Sequence, residues 1–222
     1  MDIQHLLIEM IQKADRQGAG VLIDTWAQKN GYERLLKEVL EPTLLLIGDK
    51  WRTSETFSLA QAYVAAKVAE DALIKTAAHK KSTHTDPPTK GPVVIGNIED
   101  DFHSLGRKMV GIFLETDGWI VHDLGNDVPA ADFVDKAVEI GARVIGVSAM
   151  MRTTARNIPQ VRSELTRRGL DGHIQLAVGG AVFMVCPGLD QDVGGDGTTR
   201  TAIDAPVLFQ RLWEASLIAP GT

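Results

Sequence analysis

Residues 94–110 read V-I-G-N-I-E-D-D-F-H-S-L-G-R-K-M-V, and this stretch indicates the fold of the larger part of the chain. An apolar run over residues 92–98 predicts a β-strand, and the apolar periodicity of residues 104–115 predicts an α-helix. Three acidic residues and then His103 occupy the loop between them. Because ligands of an open α/β sheet bind beyond the carboxyl ends of its strands, His103 lies where chemistry is expected.

Strands and helices alternate from Gly91 to the end of the chain. The pattern predicts helices at residues 104–115, 129–140, 159–168 and 205–215, and strands at residues 93–98, 119–124, 144–149, 174–178 and 196–199. Single helices between parallel strands require right-handed crossovers, which yield a doubly wound sheet. We therefore expect a Rossmann-like (flavodoxin-like) α/β domain with a five-stranded parallel sheet over residues 92–222.

Residues 1–80 differ, because their apolar residues recur at the three-to-four spacing of amphipathic helices. Four such segments joined by short turns predict an N-terminal four-helix bundle. Pro42 lies inside the third segment and predicts a kink or a break there. Residues 81–91 have no apolar periodicity and contain two adjacent prolines, so we interpret them as a linker between two domains.

The composition restricts the classes of function. Of the 222 residues, 44% are apolar and 23% are charged, and the net charge of −6 gives no reason to expect binding to nucleic acid or to an anionic membrane. No apolar run reaches the roughly 18 residues of a membrane span, and the first residues lack the pattern of a secretion signal. We therefore expect a cytoplasmic protein without membrane contact. The single cysteine, Cys186, excludes an internal disulfide and a thiolate metal cluster within one chain.

Small or polar residues follow three of the predicted strands: His103 after the first, Ser148 after the third and the pair Gly179-Gly180 after the fourth. Each has a plain structural explanation, since Asp101 is a good helix N-cap and paired glycines form tight turns. Their combination indicates more. Asp101 can accept a hydrogen bond from one ring nitrogen of His103 and leave the other more basic, as carboxylates do for metal-bound histidines. Because the glycines let a bulky group lie against backbone, the residues indicate a metal held by one protein ligand beside a large organic group.

Three separate motifs resemble those of the cobalamin-binding corrinoid proteins of methyl-transfer systems, whose module is shared with cobalamin-dependent methionine synthase. Residues 101–106, D-F-H-S-L-G, resemble the D-x-H-x-x-G motif, and Ser148-Ala149-Met150 resembles S-x-L with Met in place of Leu. Gly179-Gly180 matches the G-G pair. Residues 123–129, D-L-G-N-D-V-P, match a further stretch of the family. The resemblance covers residues 92–213, and residues 1–80 resemble the family's four-helix cap.

The resemblance implies a role for each of these residues. The cofactor is cobalamin, as methylcobalamin or a related corrinoid, with His103 as the lower axial ligand of cobalt and Asp101 as the hydrogen-bond partner of His103. Thr154 would continue that relay. Trp51, in the cap segment G-D-K-W, would cover the upper face of cobalt. The remaining residues would line the nucleotide tail or make room for it: Gly106, Ser148, Met150, Gly179 and Gly180.

The function that the resemblance implies is a methyl-carrier subunit that acts only with one or two partner methyltransferases and is not a free-standing enzyme. A homodimer is compatible with such a subunit. Two alternatives stay open, a cobalamin-dependent sensor and the small subunit of an adenosylcobalamin mutase. Gln61 and Ala62 stand where light-sensing cobalamin regulators carry Glu-His, and mutase subunits usually lack a helical cap, so both observations favour the carrier. Asp100 departs from the family, since many relatives have glycine there.

Overall fold

The computed structural model describes residues 2–53, 57–83 and 88–218, without the side chains of residues 51, 52 and 80–83. It divides into two compact units, Met1–Asp86 and Pro87–Thr222. None of the helices within the described ranges is long and apolar enough to cross a membrane.

The first unit consists of four helical segments, as the periodicity predicts. Their bounds are α1 Ile3–Gln12, α2 Arg16–Asn30, α3 Tyr32–Leu35, a π-helical turn Leu36–Leu40, α4 Glu41–Thr53 and α5 Leu59–Thr83, with α3, the π-helical turn and α4 forming one uninterrupted segment. Apolar side chains from all four segments are buried between them, among them Leu7, Ile23, Leu36, Val39 and Val68. The helices therefore pack through the apolar faces that their spacing indicated.

Pro42 explains the change of hydrogen-bonding pattern in the third segment. Proline has no backbone N–H, so the carbonyl of Glu38 cannot receive the usual helical bond from residue 42. Gln4 supplies that bond instead, with its Nε2 at 2.9 Å from the Glu38 carbonyl. The π-helical turn Leu36–Leu40 lies directly before the proline, where the predicted kink or break is replaced by this local rearrangement.

The start of α5 is fixed by a reciprocal cap. The backbone N–H of Ser58 donates to Gln61 Oε1 at 2.7 Å, and the backbone N–H of Gln61 lies 3.3 Å from Ser58 Oγ. This is a capping box, which satisfies two backbone donors that a helix start leaves without partners. Gln61, which departs from the light-sensing regulators, thus has a structural role here.

The second unit alternates strands and helices as predicted. The strands are β1 Lys90–Asn97, β2 Trp119–Asp123, β3 Val144–Ser148 and β4 Gln175–Gly179, and the helices are α6 Leu105–Thr116, α7 Ala130–Ile140, α8 Arg152–Ala155, α9 Pro159–Arg167, α10 Ala181–Val185, α11 Leu189–Asp192 and α12 Ala205–Ile218. The strands are parallel and stand in the order β2-β1-β3-β4. The Rossmann-like, doubly wound architecture is confirmed.

The predicted fifth strand at residues 196–199 is wrong, because the described sheet has four strands. Gly197 forms one isolated bridge to Ala177 of β4. Two backbone bonds accompany this bridge, from the Asp196 N–H to the Leu176 carbonyl at 2.7 Å and from the Val178 N–H to the Gly197 carbonyl at 2.9 Å. Because β4 ends at Gly179, little of that strand is left for further pairing.

Both faces of the sheet are covered, as a parallel sheet requires. On one face Val94 packs with Phe133 of α7 and Leu165 of α9, and on the other Ile95 packs with Phe209 of α12. Chain order reverses between β1 and β3, since β2 lies on the outer side of β1 and β4 on the outer side of β3. This reversal opens a crevice at the carboxyl ends of β1 and β3, the place where such folds bind ligands.

Candidate functional site at the β1–β3 switch point

The carboxylate of Asp101 joins the loop after β1 to the loop after β3. The residue is fully buried, with 0% of its surface exposed. Its Oδ1 accepts hydrogen bonds from Asn97 Nδ2 and from the backbone N–H of His103, both at 2.9 Å. Its Oδ2 accepts the backbone N–H of Met150 at 2.7 Å and the hydroxyl of Thr154 at 2.8 Å. One buried side chain therefore ties together the two edges of the crevice.

These donors determine the ionisation of Asp101. Burial by itself would raise the pKa of this carboxyl, since it disfavours the charged form. The backbone N–H groups of Met150 and His103, the Thr154 hydroxyl and the Asn97 amide outweigh burial and hold the pKa of Asp101 below its usual range. The carboxylate is therefore a fixed negative charge at neutral pH.

His103 is oriented by this carboxylate. Its Nδ1 lies 3.3 Å from Asp101 Oδ1, a long contact that supports a proton on Nδ1. The other ring nitrogen, Nε2, makes no hydrogen bond to the residues that the structure describes, and 47% of the side chain is exposed. A histidine held in this way keeps the lone pair of Nε2 available, which is what a metal ligand requires.

Thr154 contacts Asp101 from the first turn after β3. Its hydroxyl lies 2.8 Å from Asp101 Oδ2 and 3.0 Å from the carbonyl of Met151, and the residue is only 4% exposed. A hydroxyl carries one proton, so it donates to one of these two acceptors at a time. The contact brings together three residues that the resemblance linked, in the order His103, Asp101, Thr154.

The turn before Asp101 contains a residue in the left-handed region. Asp100 has φ of 67°, a conformation that glycine adopts without steric cost. The backbone N–H of Asp100 donates to Asp127 Oδ1 at 2.8 Å, and Asn157 Nδ2 donates to the carbonyl of Glu99 at 3.1 Å. These bonds hold an aspartate in a conformation that glycine adopts more readily.

The predicted lining residues lie at the same edge of the sheet. Ser148, the last residue of β3, is in register with Asn97 on one side and with Gly179 on the other. A Cβ on Gly106 or on Gly179 would meet no atom within 4 Å, so space is open beside both.

Gly180 differs from the other two glycines, because its own backbone requires it. It has φ of 113°, and a Cβ at this position would lie 2.1 Å from the carbonyl oxygen of Ala149. No other residue fits there without backbone movement. Trp51 belongs to α4 by its backbone, but its side chain lies outside the described residues, so its role stays a prediction.

Two polar residues of the site escaped the sequence reasoning. Asn97 is the last residue of β1 and is fully buried, and Arg107 lies in the first turn of α6 with 6% of its surface exposed. Arg107 NH1 lies 2.5 Å from Asn97 Oδ1, and Arg107 Nε lies 2.9 Å from Asp123 Oδ1. The available signal was a polar residue at the end of an apolar strand, followed by a cation in the first turn of the next helix.

Comparison with known proteins agrees with this geometry. A family model described as the B12 binding domain matches residues 91–207. Dimethylamine corrinoid protein 2 of Methanosarcina mazei is 42% identical over 91 residues, which are 41% of this chain and 42% of that protein, so the match spans less than half of the relative's length. A corrinoid protein of Desulfitobacterium hafniense (strain Y51) is 32% identical over 170 residues, 75% of this chain and 76% of that protein. The structure of the Methanosarcina barkeri monomethylamine corrinoid protein has the same fold, with a TM-score of 0.75 and 21% identity over 92% of this chain and 96% of the other. This chain belongs to the family of B12-binding corrinoid proteins, whose cofactor is a corrinoid.

Proposed function

We propose that this chain is a methyl carrier, which holds a corrinoid with His103 as the lower axial ligand of cobalt and acts together with partner methyltransferases. The observation that carries the proposal is the contact of Asp101 Oδ1 with His103 Nδ1 at 3.3 Å, which leaves Nε2 free in the crevice. When bound, the corrinoid supplies the cobalt that accepts and releases a methyl group. The protein supplies the ligand, its orientation and the surrounding surface.

The residues at the switch point fit such a group. Gly106 and Gly179 border open space, and large apolar side chains in the loops after β1 and β3 are exposed, with Phe102 at 64% and Met150 and Met151 at 46% each. Exposed apolar side chains in adjoining loops are typical of a surface that a ligand covers. A corrinoid has both an extended apolar surface and a polar tail, and this edge offers partners for both.

Asp101 would set the donor strength of His103. Because the carboxylate is buried, ionised and held by four further hydrogen bonds, it keeps its position while the imidazole binds or leaves a metal. A hydrogen bond from Nδ1–H to a carboxylate raises the basicity of Nε2. Thr154 competes for the same carboxylate through Oδ2, so it moderates that effect.

Reconstitution with hydroxocobalamin tests the ligand assignment. We expect His103→Ala to lose the absorption features of a nitrogen ligand from the protein and to bind the corrinoid at least tenfold more weakly than the unsubstituted chain. His173→Ala is the matched control, because this histidine lies in the same unit but in the turn before β4, away from the carboxyl ends of the strands. If His103→Ala keeps the spectrum and affinity of the unsubstituted chain, His103 is not the ligand.

A second experiment tests the place of the nucleotide tail, which we assign to the space bordered by Ser148, Met150, Gly179 and Gly180 together with Gly106. Gly179→Leu places a side chain in this space, and its Cβ would meet no atom within 4 Å, so the chain should fold and lose affinity for the corrinoid. Gly20→Leu is the control, since a Cβ on Gly20 also meets no atom within 4 Å and this residue lies in α2. Equal affinity of the two variants would contradict the assignment.

The methyl donor is proposed to be a small methylated amine, by similarity to the dimethylamine and monomethylamine corrinoid proteins. The test mixes the reduced holo-protein with purified methyltransferases of the methylamine and methanol classes, one at a time, each with its methylated substrate. Methyl loading is followed by the absorbance of the bound cofactor. If none of these enzymes loads the cofactor, the methyl-carrier proposal is wrong even where the ligand assignment stands.

A further inference from the structure

We propose that Asn97, held in place by Arg107, is a positioning residue for His103. The inference rests on the proposed function, because it concerns how firmly the ligand histidine is presented. Asn97 contacts Oδ1 of Asp101 and is itself contacted by Arg107, whereas Thr154 contacts Oδ2.

Asn97 contacts two residues of the loop after β1, Asp101 and His103. Its Nδ2 donates to Asp101 Oδ1 at 2.9 Å and lies 3.2 Å from the carbonyl of His103. The amide nitrogen has two protons, so both bonds form at once. One fully buried amide therefore fixes the carboxylate that orients the imidazole and the backbone that carries it.

Arg107 in turn fixes the orientation of that amide. Arg107 NH1 lies 2.5 Å from Asn97 Oδ1, which forces the amide oxygen toward the guanidinium and the amide nitrogen toward Asp101. The same nitrogen lies 2.6 Å from the carbonyl of Gly125 and 2.6 Å from Asn126 Oδ1. A cation beside the amide oxygen polarises the amide and strengthens its N–H donors.

The network also connects separate parts of the sheet edge. Asn97 ends β1, Arg107 lies in α6, and Gly125 and Asn126 lie in the loop after β2. Arg107 Nε adds a contact to Asp123, the last residue of β2, at 2.9 Å. Arg107 therefore has several anchors at the end of β2 and in the loop after it, so the loss of Asn126 alone should leave Arg107 in place.

Loss of the Asn97 amide should weaken ligation by His103. In the Asn97→Ala variant the loop after β1 loses two hydrogen bonds. Binding to cobalt must then also order His103, which costs free energy. The +1 state of cobalt is four-coordinate and does not bind His103. Weaker ligation by His103 therefore destabilises the +2 state relative to the +1 state and raises the midpoint potential of the +2/+1 couple of the bound cofactor. We expect tenfold weaker ligation, which corresponds to a rise of about 59 mV for a one-electron couple.

The experiment is a double-variant cycle on the full chain reconstituted with hydroxocobalamin, with the midpoint potential as the readout. The four proteins are the unsubstituted chain, Asn97→Ala, His103→Ala and the double variant. We expect Asn97→Ala to raise the potential in the presence of His103 and to have no further effect in its absence. If Asn97→Ala instead caused a general loss of structure, it would shift the potential both with and without His103. Asn126→Ala is the matched control, because it removes a bond to the same Arg107 nitrogen and should change ligation by less than twofold.

Each outcome decides one question. If His103→Ala leaves the potential unchanged, the ligand assignment itself fails. If His103→Ala shifts the potential and Asn97→Ala does not, only the positioning role is overturned. The same conclusion follows if the effect of Asn97→Ala persists in the double variant, which lacks His103. Asn97→Ser keeps a donor and an acceptor, and it serves where the alanine variant does not fold. It should shift the potential in the same direction by a smaller amount, and no shift would overturn the role.

Discussion

Replacement of Thr154 by valine removes one hydroxyl from the buried carboxylate and leaves the shape of the side chain nearly unchanged. The hydroxyl lies 2.8 Å from Asp101 Oδ2, and the residue is 4% exposed. A hydrogen bond to a charged group contributes about 1.5–3 kcal/mol. Because Met150 still donates to the same oxygen, we expect the free energy of unfolding of the apo-protein to fall by about 2 kcal/mol at about pH 7.

The matched control is Thr116→Val in the same unit. The Thr116 hydroxyl is buried and has no hydrogen-bond partner within the described part of the chain. A buried hydroxyl without a partner costs about 1–3 kcal/mol in proteins, so its removal should leave stability unchanged or raise it by about 1 kcal/mol. Identical chemical changes are thus expected to have different effects, since only one hydroxyl faces a carboxylate.

The two substitutions, Thr154→Val and Thr116→Val, should also differ in how their effects on stability depend on pH. The folded pKa of Asp101 lies below its usual range, so its contribution to stability is present above about pH 4 and is lost as the pH falls through the folded pKa. Thr154→Val removes a donor and brings that pKa back toward the ordinary value. Its deficit should therefore be largest near neutral pH and should shrink on acidification, whereas the effect of Thr116→Val should not change with pH.

Urea unfolding monitored by circular dichroism, at neutral pH and at several values below about pH 4, provides the measurement. Equal effects of the two substitutions at neutral pH would refute the reasoning. So would a Thr154→Val deficit that stays constant with pH, because the hydroxyl would then not act through the ionised carboxylate.

Further predictions concern backbone, core and cap. Gly180→Ala should prevent normal folding, since its Cβ would lie 2.1 Å from the Ala149 carbonyl oxygen, whereas Gly179→Ala should fold normally; soluble yield and circular dichroism compare the two. Phe133→Ala empties a fully buried site and should lower the free energy of unfolding by about 3–5 kcal/mol in a urea titration. Asp15→Ala removes the side chain that accepts the backbone N–H at the start of α2 and should cost about 1 kcal/mol by the same measurement. A smaller loss for Phe133→Ala than for Asp15→Ala would contradict the packing described for the second unit.

The alternation of strands and helices and the position of the loop that carries His103 were predictable from the sequence, because they depend on local patterns. Residues 92–98 are apolar except for Gly96 and Asn97, and such a run fits a strand that is covered on both faces. The capping box at Ser58 and Gln61 is equally local, because its two residues stand three positions apart in the sequence.

The end of the sheet was not predictable in the same way. The sequence of residues 196–199 permits a strand, but within the described chain this segment forms one isolated bridge, from Gly197 to Ala177, close to the end of β4. How far β4 extends beside this segment depends on where β4 itself ends, which the pattern of residues 196–199 does not contain.

The sequence by itself determined that Asp101 and His103 stand together at the carboxyl end of a buried strand, since two residues of separation fix their proximity. Only the tertiary structure decided what surrounds them. Two of the donors to Asp101, Met150 and Thr154, are 49 and 53 residues away, and the chain order β2-β1-β3-β4 is what brings them to the same crevice. Asn97 became part of the site for the same reason, because a buried amide acquires its role from partners that fold against it.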